Sequence, residues 1–171
     1  MLITPANHSD IPDLVRLVNS AYRGEGGEKG WTNESHLIKG PRTDADSIAQ
    51  LMDEPHSVIL KYTDPEGRLT GCVYLQKQAD KLYLGLLSVD PVLQGAGIGK
   101  ALLNAGDDYG EKNNCSCIHI TVISVREELT AWYERHGYKR TGETEPFHIG
   151  ERFGIRQQPL ELAVLEKDLG N

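Results

Sequence analysis

The segment Gln94-Gly95-Ala96-Gly97-Ile98-Gly99-Lys100 constrains the fold more than any other stretch of this chain. Before it runs Lys81–Val89, where Leu82, Leu84, Leu86, Leu87 and Val89 suit a central strand covered on both faces. After it, Ile98, Ala101, Leu102, Ala105 and Tyr109 fall on one face of a helix. A strand, a glycine-rich turn and an amphipathic helix together make an anion site. The first N–H groups of a helix have no internal acceptor, and its dipole favours negative charge there. Gly95, Gly97 and Gly99 let the backbone approach a phosphate with no Cβ in the way, and Lys100 adds charge nearby. The alternative is a glycine-rich connection that binds nothing. Three glycines at this junction weigh against it.

Two nucleotide motifs are excluded. A P-loop requires glycine where Gln94 stands and Ser or Thr where Ala101 stands. The dinucleotide pattern G-x-G-x-x-G would end on Lys100 if begun at Gly95, and on Leu102 if begun at Gly97. The strands before the loop also form a meander rather than a βαβ unit: Ser57–Thr63 and Arg68–Gln76 flank the tight turn Asp64-Pro65-Glu66-Gly67, and Lys81–Val89 follows.

The remaining elements are read from period and punctuation. Leu2–Thr4 suits a short strand ended by Pro5, and Ser9 or Asp10 can cap a helix carrying Ile11, Leu14, Val15, Val18 and Tyr22. Arg23–Gly30 is too glycine-rich to continue it. A second helix starts near Thr43 and buries Ile48, Leu51 and Met52. Cys117–Val122 alternates as a strand, and Glu127–His136 is a short helix stopped by Gly137. Tyr138–Gly142 and Leu160–Leu165 are final strands around an irregular Glu143–Pro159. No repeat or linker interrupts residues 1–171, which suit a single domain.

Charge and cysteine usage narrow the function. A net charge of -7, from 25 acidic and 18 basic residues, argues against nucleic acid as a partner and mildly favours a cationic substrate. Cys72, Cys115 and Cys117 read as reduced, buried small hydrophobes rather than metal ligands, so no metal is expected. Met1-Leu2-Ile3-Thr4-Pro5 has no basic region followed by an apolar run, and no stretch approaches the roughly 20 apolar residues of a membrane span. The expectation is a cytoplasmic protein with no membrane partner.

Leu87–Leu103, with Gln94, Gly97 and Gly99 at the positions of a Gln/Arg-x-x-Gly-x-Gly/Ala signature, resembles the acetyl-CoA segment of the GNAT superfamily of N-acetyltransferases. Ala131-Trp132-Tyr133-Glu134-Arg135-His136-Gly137-Tyr138 resembles that superfamily's helix-to-strand motif. The resemblance covers nearly the whole chain. It implies an α/β (α+β) fold, a mixed and mostly antiparallel central sheet of about six to seven strands flanked by about four helices.

The resemblance also implies an acyltransferase that moves an acetyl group from acetyl-CoA to a primary amine by direct attack in a ternary complex. Positioning of amine and carbonyl, with donors aimed at the developing oxyanion, then carries much of the rate. Backbone groups of Leu87, Ser88 and Val89 would meet the acetyl and pantetheine portion, the Val89 N–H polarising the thioester carbonyl. Gln94, Gly95, Ala96, Gly97, Ile98, Gly99 and Lys100 would hold the pyrophosphate. Tyr133 occupies the general-acid position, and a phenol of ordinary pKa about 10 stays protonated at neutral pH. Its other reading is a helix residue packed beside Trp132.

The acceptor side is less determined. Glu25 and Glu34 could take the amine proton or attract a cation, or be solvated loop carboxylates. Trp31 could wall an acceptor pocket, stack on a cation or anchor its loop. Arg126 stands where many relatives carry asparagine. It could reach the pantetheine or the phosphates of the cofactor, bind an acidic acceptor, or lie at the surface. His148 and Phe153 border the acceptor cleft or belong to a surface loop. The competing function is a non-catalytic acyl-CoA sensor. The acceptor itself, a longer acyl donor, and monomer or homodimer stay open.

Overall fold

The computed structural model of the chain describes residues 2–23, 33–35, 37–147, 155–156 and 160–170. Its first strand, β1 (Leu2–Pro5), includes the proline that was expected to end it. β1 lies on the sheet edge, where a residue without an N–H loses no ladder bond. Asn7, rather than Ser9 or Asp10, starts the following helical segment. Its Oδ1 accepts the Ser9 N–H at 2.9 Å, while Asp10 Oδ2 accepts the Asn7 N–H at 2.9 Å. This reciprocal cap leads through a 3-10 turn into α1 (Ile11–Arg23), which buries Leu14, Leu17, Val18 and Ala21.

β2 (Ile38–Lys39) precedes α2 (Ala45–Asp53), whose cap is Asp44, accepting the Ser47 N–H at 2.8 Å. Ile48 is fully buried, whereas Leu51 and Met52 are only half-buried. β3 (Ser57–Thr63), β4 (Leu69–Gln78) and β5 (Lys81–Val89) form the expected meander. Then come α3 (Ile98–Lys112), β6 (Cys117–Ile123) and α4 (Glu127–Arg135). β7 (Lys139–Pro146) runs past its expected end at Gly142, which sits at φ +86 inside a break of register between Arg140 and Thr144. β8 (Ile155–Arg156) pairs with β2 as a small separate ribbon, and β9 (Glu161–Asp168) closes the chain order.

Seven strands make the main sheet in the order β1-β3-β4-β5-β6-β9-β7, all neighbours antiparallel except β5 and β6. Helices α3 and α4 cover one face through Ile98, Leu102, Leu103 and Leu129; α1 and α2 cover the other through Leu14, Leu17, Val18 and Ile48. β5 serves both layers, as its apolar run predicts. Yet its alternation breaks: Leu82, Leu84, Leu87 and Val89 face the α3 side, and Leu86 faces the α1 side. The cause is a bulge. β4 pairs Cys72 with Ser88 and Tyr74 with Gly85, so Leu86 and Leu87 together oppose Val73. Leu86 takes φ +56, which is costly for a branched side chain and persists only because the flanking ladder holds it.

All three cysteines are free and buried. Burial pushes the Cys72 thiol up to about 12, as suits a packing residue. Cys115 precedes β6 rather than sharing a strand face with Cys117.

Candidate active site

The bulge places the functional region because it coincides with a split in the sheet. β5 and β6 pair at only three positions, Lys81 with Cys117, Leu82 with Ile118 and Tyr83 with His119. Beyond Tyr83 the two strands diverge, while β6 stays paired with β9 to Ile123 and β5 with β4 to Val89. The wedge between Gly85–Leu87 and Ile120–Ile123 is a cavity of about 470 Å³, within the range of small-molecule sites. An extended ligand arm entering there meets backbone groups that no neighbouring strand uses.

Tyr133 lines this cavity from α4 and is 7% exposed. Its ring stands edge-on to Trp132 at 5.0 Å and to Tyr138 at 5.6 Å. The end of α4 fixes it further. The His136 and Tyr138 N–H groups donate to the Tyr133 carbonyl, and Gly137 at φ +96 turns the chain away. Burial holds the Tyr133 phenol well above its ordinary range, so it is protonated at neutral pH.

Leu87 lines the same wedge, and its carbonyl accepts the Tyr22 hydroxyl at 2.8 Å. Ser88 is fully buried, its Oγ donating to the Leu86 carbonyl at 3.0 Å, so only its backbone can serve a ligand. Val89 ends the strand, and Gln94 folds back so that Nε2 donates to the Val89 carbonyl at 3.3 Å. That bond ties the strand end to the loop. Asp90 shapes the approach, accepting the Val92 N–H at 3.1 Å at the start of a 3-10 turn, Pro91–Leu93.

Gly95 and Gly97 adopt φ +92 and +85, and an added Cβ at either would meet no atom within 4 Å. The space over the loop is open. Ala96 is exposed, Gly97 is the cap residue of α3, Ile98 and Gly99 are buried in its first turn, and Lys100 points outward, exposed. The first-turn N–H groups of α3 have no intrahelical acceptor, and the space beside its cap residue Gly97 is open. Packing sets the helix start: a Cβ on Gly71 of β4 would sit 2.8 Å from Ile98 Cγ2, so glycine is what lets α3 begin this close to the sheet.

The acceptor-side residues separate. Glu25, Trp31, His148 and Phe153 lie outside the described residues. Glu34 is not a solvated loop carboxylate. It is 6% exposed in the cavity wall, with Oε1 2.8 Å from both Arg23 Nε and Arg23 Nη2. Both partners are desolvated, which draws the Arg23 guanidinium down against the pull of Glu34. Arg126 is buried too, at 4% exposure, lining the cavity with Tyr133 and Leu129 and bonding Glu128 Oε1 at 2.7 Å. None of Gln94–Lys100 lines that cavity, so Arg126 lies in the wedge wall, away from both the glycine-rich loop and the protein surface.

Two residues escaped the sequence reading. Arg42 lines the wedge, with its guanidinium carbon 5.3 Å from the centre of the Tyr22 ring. Tyr22, read only as a core residue of α1, also lines it. Nothing in the spacing around Pro41-Arg42-Thr43 marks it as a site.

An open, bulged strand beside a wedge, feeding a glycine-capped helix, defines a class: the N-acetyltransferase fold. The ribosomal-protein-S18-alanine N-acetyltransferase of Escherichia coli superposes with a TM-score of 0.74 over 99% of this chain and 94% of that one, at 15% identity. Residues 35–163 match the model of the family described as "Acetyltransferase (GNAT) domain". The chain belongs to the GNAT acetyltransferase family. Among curated relatives, the N-acetylaspartate synthetase of Danio rerio is 32% identical over 129 residues, 74% of this chain and 45% of that protein. The mycothiol acetyltransferase of Mycobacteroides abscessus is 26% identical over 132 residues, 75% of this chain and 42% of that one. The chain thus spans less than half the length of both.

Proposed function

We propose that this chain transfers an acetyl group from acetyl-CoA to the amine of a small acceptor or a peptide. The observation that carries this is Tyr133, a protonated phenol held rigidly in the wall of the wedge that β5 and β6 leave open. The open space over Gly95 and Gly97 suits a pyrophosphate, and the unused edge of β5 suits a pantetheine arm. Acetyl-CoA supplies an activated thioester carbonyl. Backbone groups of Leu87 and Val89 orient that end, with the Val89 N–H as the donor to the carbonyl oxygen. Gln94 through Lys100 hold the phosphates. Arg126 adds positive charge near the thioester rather than at the loop.

The neutral amine nitrogen bonds to the carbonyl carbon, the carbon–sulfur bond breaks, and the proton that the nitrogen sheds passes through solvent to restore the Tyr133 phenol. Tyr133 gives its proton to the departing sulfur, which raises the rate by about 10²- to 10⁴-fold if it follows general-acid behaviour. Glu34 supports the wall by holding Arg23, and its ion pair leaves it poorly placed to accept a proton.

The test is release of free CoA thiol from acetyl-CoA across a panel of amino acids, polyamines, aminosugars and short peptides. Tyr133→Phe is expected to lose about 10²-fold or more in kcat while binding acetyl-CoA as before. Unchanged turnover would remove the general-acid role. Tight acetyl-CoA binding without thiol release on any amine would favour a sensor instead.

A further inference from the structure

We propose that the acceptor is a small amine bearing a carboxylate, and that Arg42 is the residue that binds this carboxylate. The proposal rests on the acetyltransferase reading, and it concerns the half of the wedge that the phosphate loop does not reach. Charge is the first observation. Among the described residues, the wedge is lined by three cationic side chains, Arg23, Arg42 and Arg126, and by one carboxylate, Glu34. Glu34 is committed to Arg23 at 2.8 Å, and Arg126 is bonded to Glu128 at 2.7 Å. Arg42 lies over the Tyr22 ring, and no described carboxylate lies within ion-pair distance of it. A half-buried arginine that lies over an aromatic ring and lines a cavity matches a planar carboxylate in shape as well as charge.

The backbone at Arg42 is built rather than incidental. Asn19 of α1 accepts the Arg42 N–H at 2.7 Å and the Thr43 N–H at 2.9 Å, and donates to the Thr43 carbonyl at 3.1 Å. One turn later, Arg23 Nη1 donates to the carbonyls of Gly40 and Pro41 at 3.1 and 3.2 Å. Both sides of Arg42 are therefore clamped to α1, which fixes the backbone from which its side chain extends before any ligand arrives.

Position is the third observation. A second cavity of about 620 Å³ opens outward between α2 and β5, and it shares Arg42, Tyr83, Gly85 and Leu86 with the wedge. Arg42 thus stands at the junction of an outer approach and the inner space that contains Tyr133. Asp53 and Glu54 line only the outer cavity. A carboxylate held at the junction leaves a short amine pointing inward. A polycation would meet Arg42 at the junction and Arg23 and Arg126 farther into the wedge.

The experiment compares matched acceptors that differ only in the acid: glycine and glycinamide, aspartate and asparagine, β-alanine and its amide, with spermidine as the cationic arm. Each is followed by thiol release and, separately, by the rise in melting temperature it causes in the CoA-bound protein. The expected result is that at least one acid outperforms its neutral partner by 50-fold or more in kcat/KM. Arg42→Gln brings that ratio to near one, and Arg42→Lys retains part of it. Acetyl-CoA must still raise the melting temperature of both variants, which shows that they fold. Preference for spermidine or an amide, or an acid preference untouched by Arg42→Gln, overturns the proposal. If no amine is turned over, the thermal readout still decides. Arg42-dependent binding of an acid without thiol release sinks the acetyltransferase reading alone, and absence of such binding sinks this one.

Discussion

Gly97→Ala separates what the loop does for the fold from what it does for the ligand. Gly97 sits at φ +85, and an ideal Cβ there meets nothing within 4 Å, so alanine brings torsional strain without a clash. That strain is about 1–2 kcal/mol for an L-residue in the left-handed region. In a domain of this size each kcal/mol moves the melting temperature by about 2–4 °C, so a fall of about 2–8 °C is expected and folding survives. The methyl group projects into the open space where a phosphate would approach. Losing one charge-assisted N–H contact, worth about 1.5–3 kcal/mol, weakens CoA binding by about 10- to 150-fold. Gly67, in the β3–β4 turn, offers the control: φ +81 and likewise nothing within 4 Å. Gly67→Ala should cost the same few degrees and leave CoA affinity untouched. Thermal unfolding and isothermal titration with CoA read both quantities. Equal melting shifts with equal CoA affinities in the two variants would refute the assignment of the loop. Failure of Gly97→Ala to fold would refute the argument from open space.

The core carries two further expectations. Glu34→Gln strands Arg23 in a site where the pair's side chains are 8% and 4% exposed, and should cost about 3–5 kcal/mol in urea unfolding; a loss under about 1 kcal/mol would show that solvent reaches the pair. Tyr133 and Tyr138 are buried, and burial raises both phenols above the unfolded value of about 10. The stability they lend is full below that pH and is lost as pH rises through the folded values. The urea midpoint should therefore hold from neutrality to about pH 8.5, begin to fall as the unfolded value of the buried Cys72 thiol is passed, and fall more steeply beyond about pH 10. Tyr138→Phe also removes a buried hydroxyl with no hydrogen-bond partner. It should leave neutral stability unchanged or higher and soften the alkaline fall; a variant clearly less stable at neutral pH would contradict this.

Much of the fold was legible because its signals are local. The turn at Asp64–Gly67, the stop at Gly137 and the helical face of Ile98, Leu102 and Tyr109 are each set by residues within a few positions of one another. Caps were less legible, since Asn7, Ser9 and Asp10 are all competent, and only the reciprocal bonds between Asn7 and Asp10 decide among them. The apolar run of β5 correctly marked a strand covered on both sides. For the same reason it hid the bulge: with Leu at 82, 84, 86 and 87, either phase of alternation looks apolar. The solvated alternative for Glu34 failed for a different cause. Its partner Arg23 lies eleven positions away, and burial of the pair arises only when the chain folds back on α1.

Charge shows how far a whole-chain property can stand from a site. A net charge of -7 favoured a cationic acceptor, and that count averages over the entire surface. The excess of carboxylates is largely exposed, as at Asp13, Glu66 and Glu127, where water and salt screen it within about 10 Å. The wedge is shielded from them by the sheet and by α1 and α4, so its field is set by the groups that line it. Among the described residues the balance there is reversed, three arginines to one carboxylate. A ligand entering the split between β5 and β6 responds to that local excess. The bulge at Leu86 and the clamp of Asn19 on Arg42 therefore bear on the acceptor more directly than any compositional average.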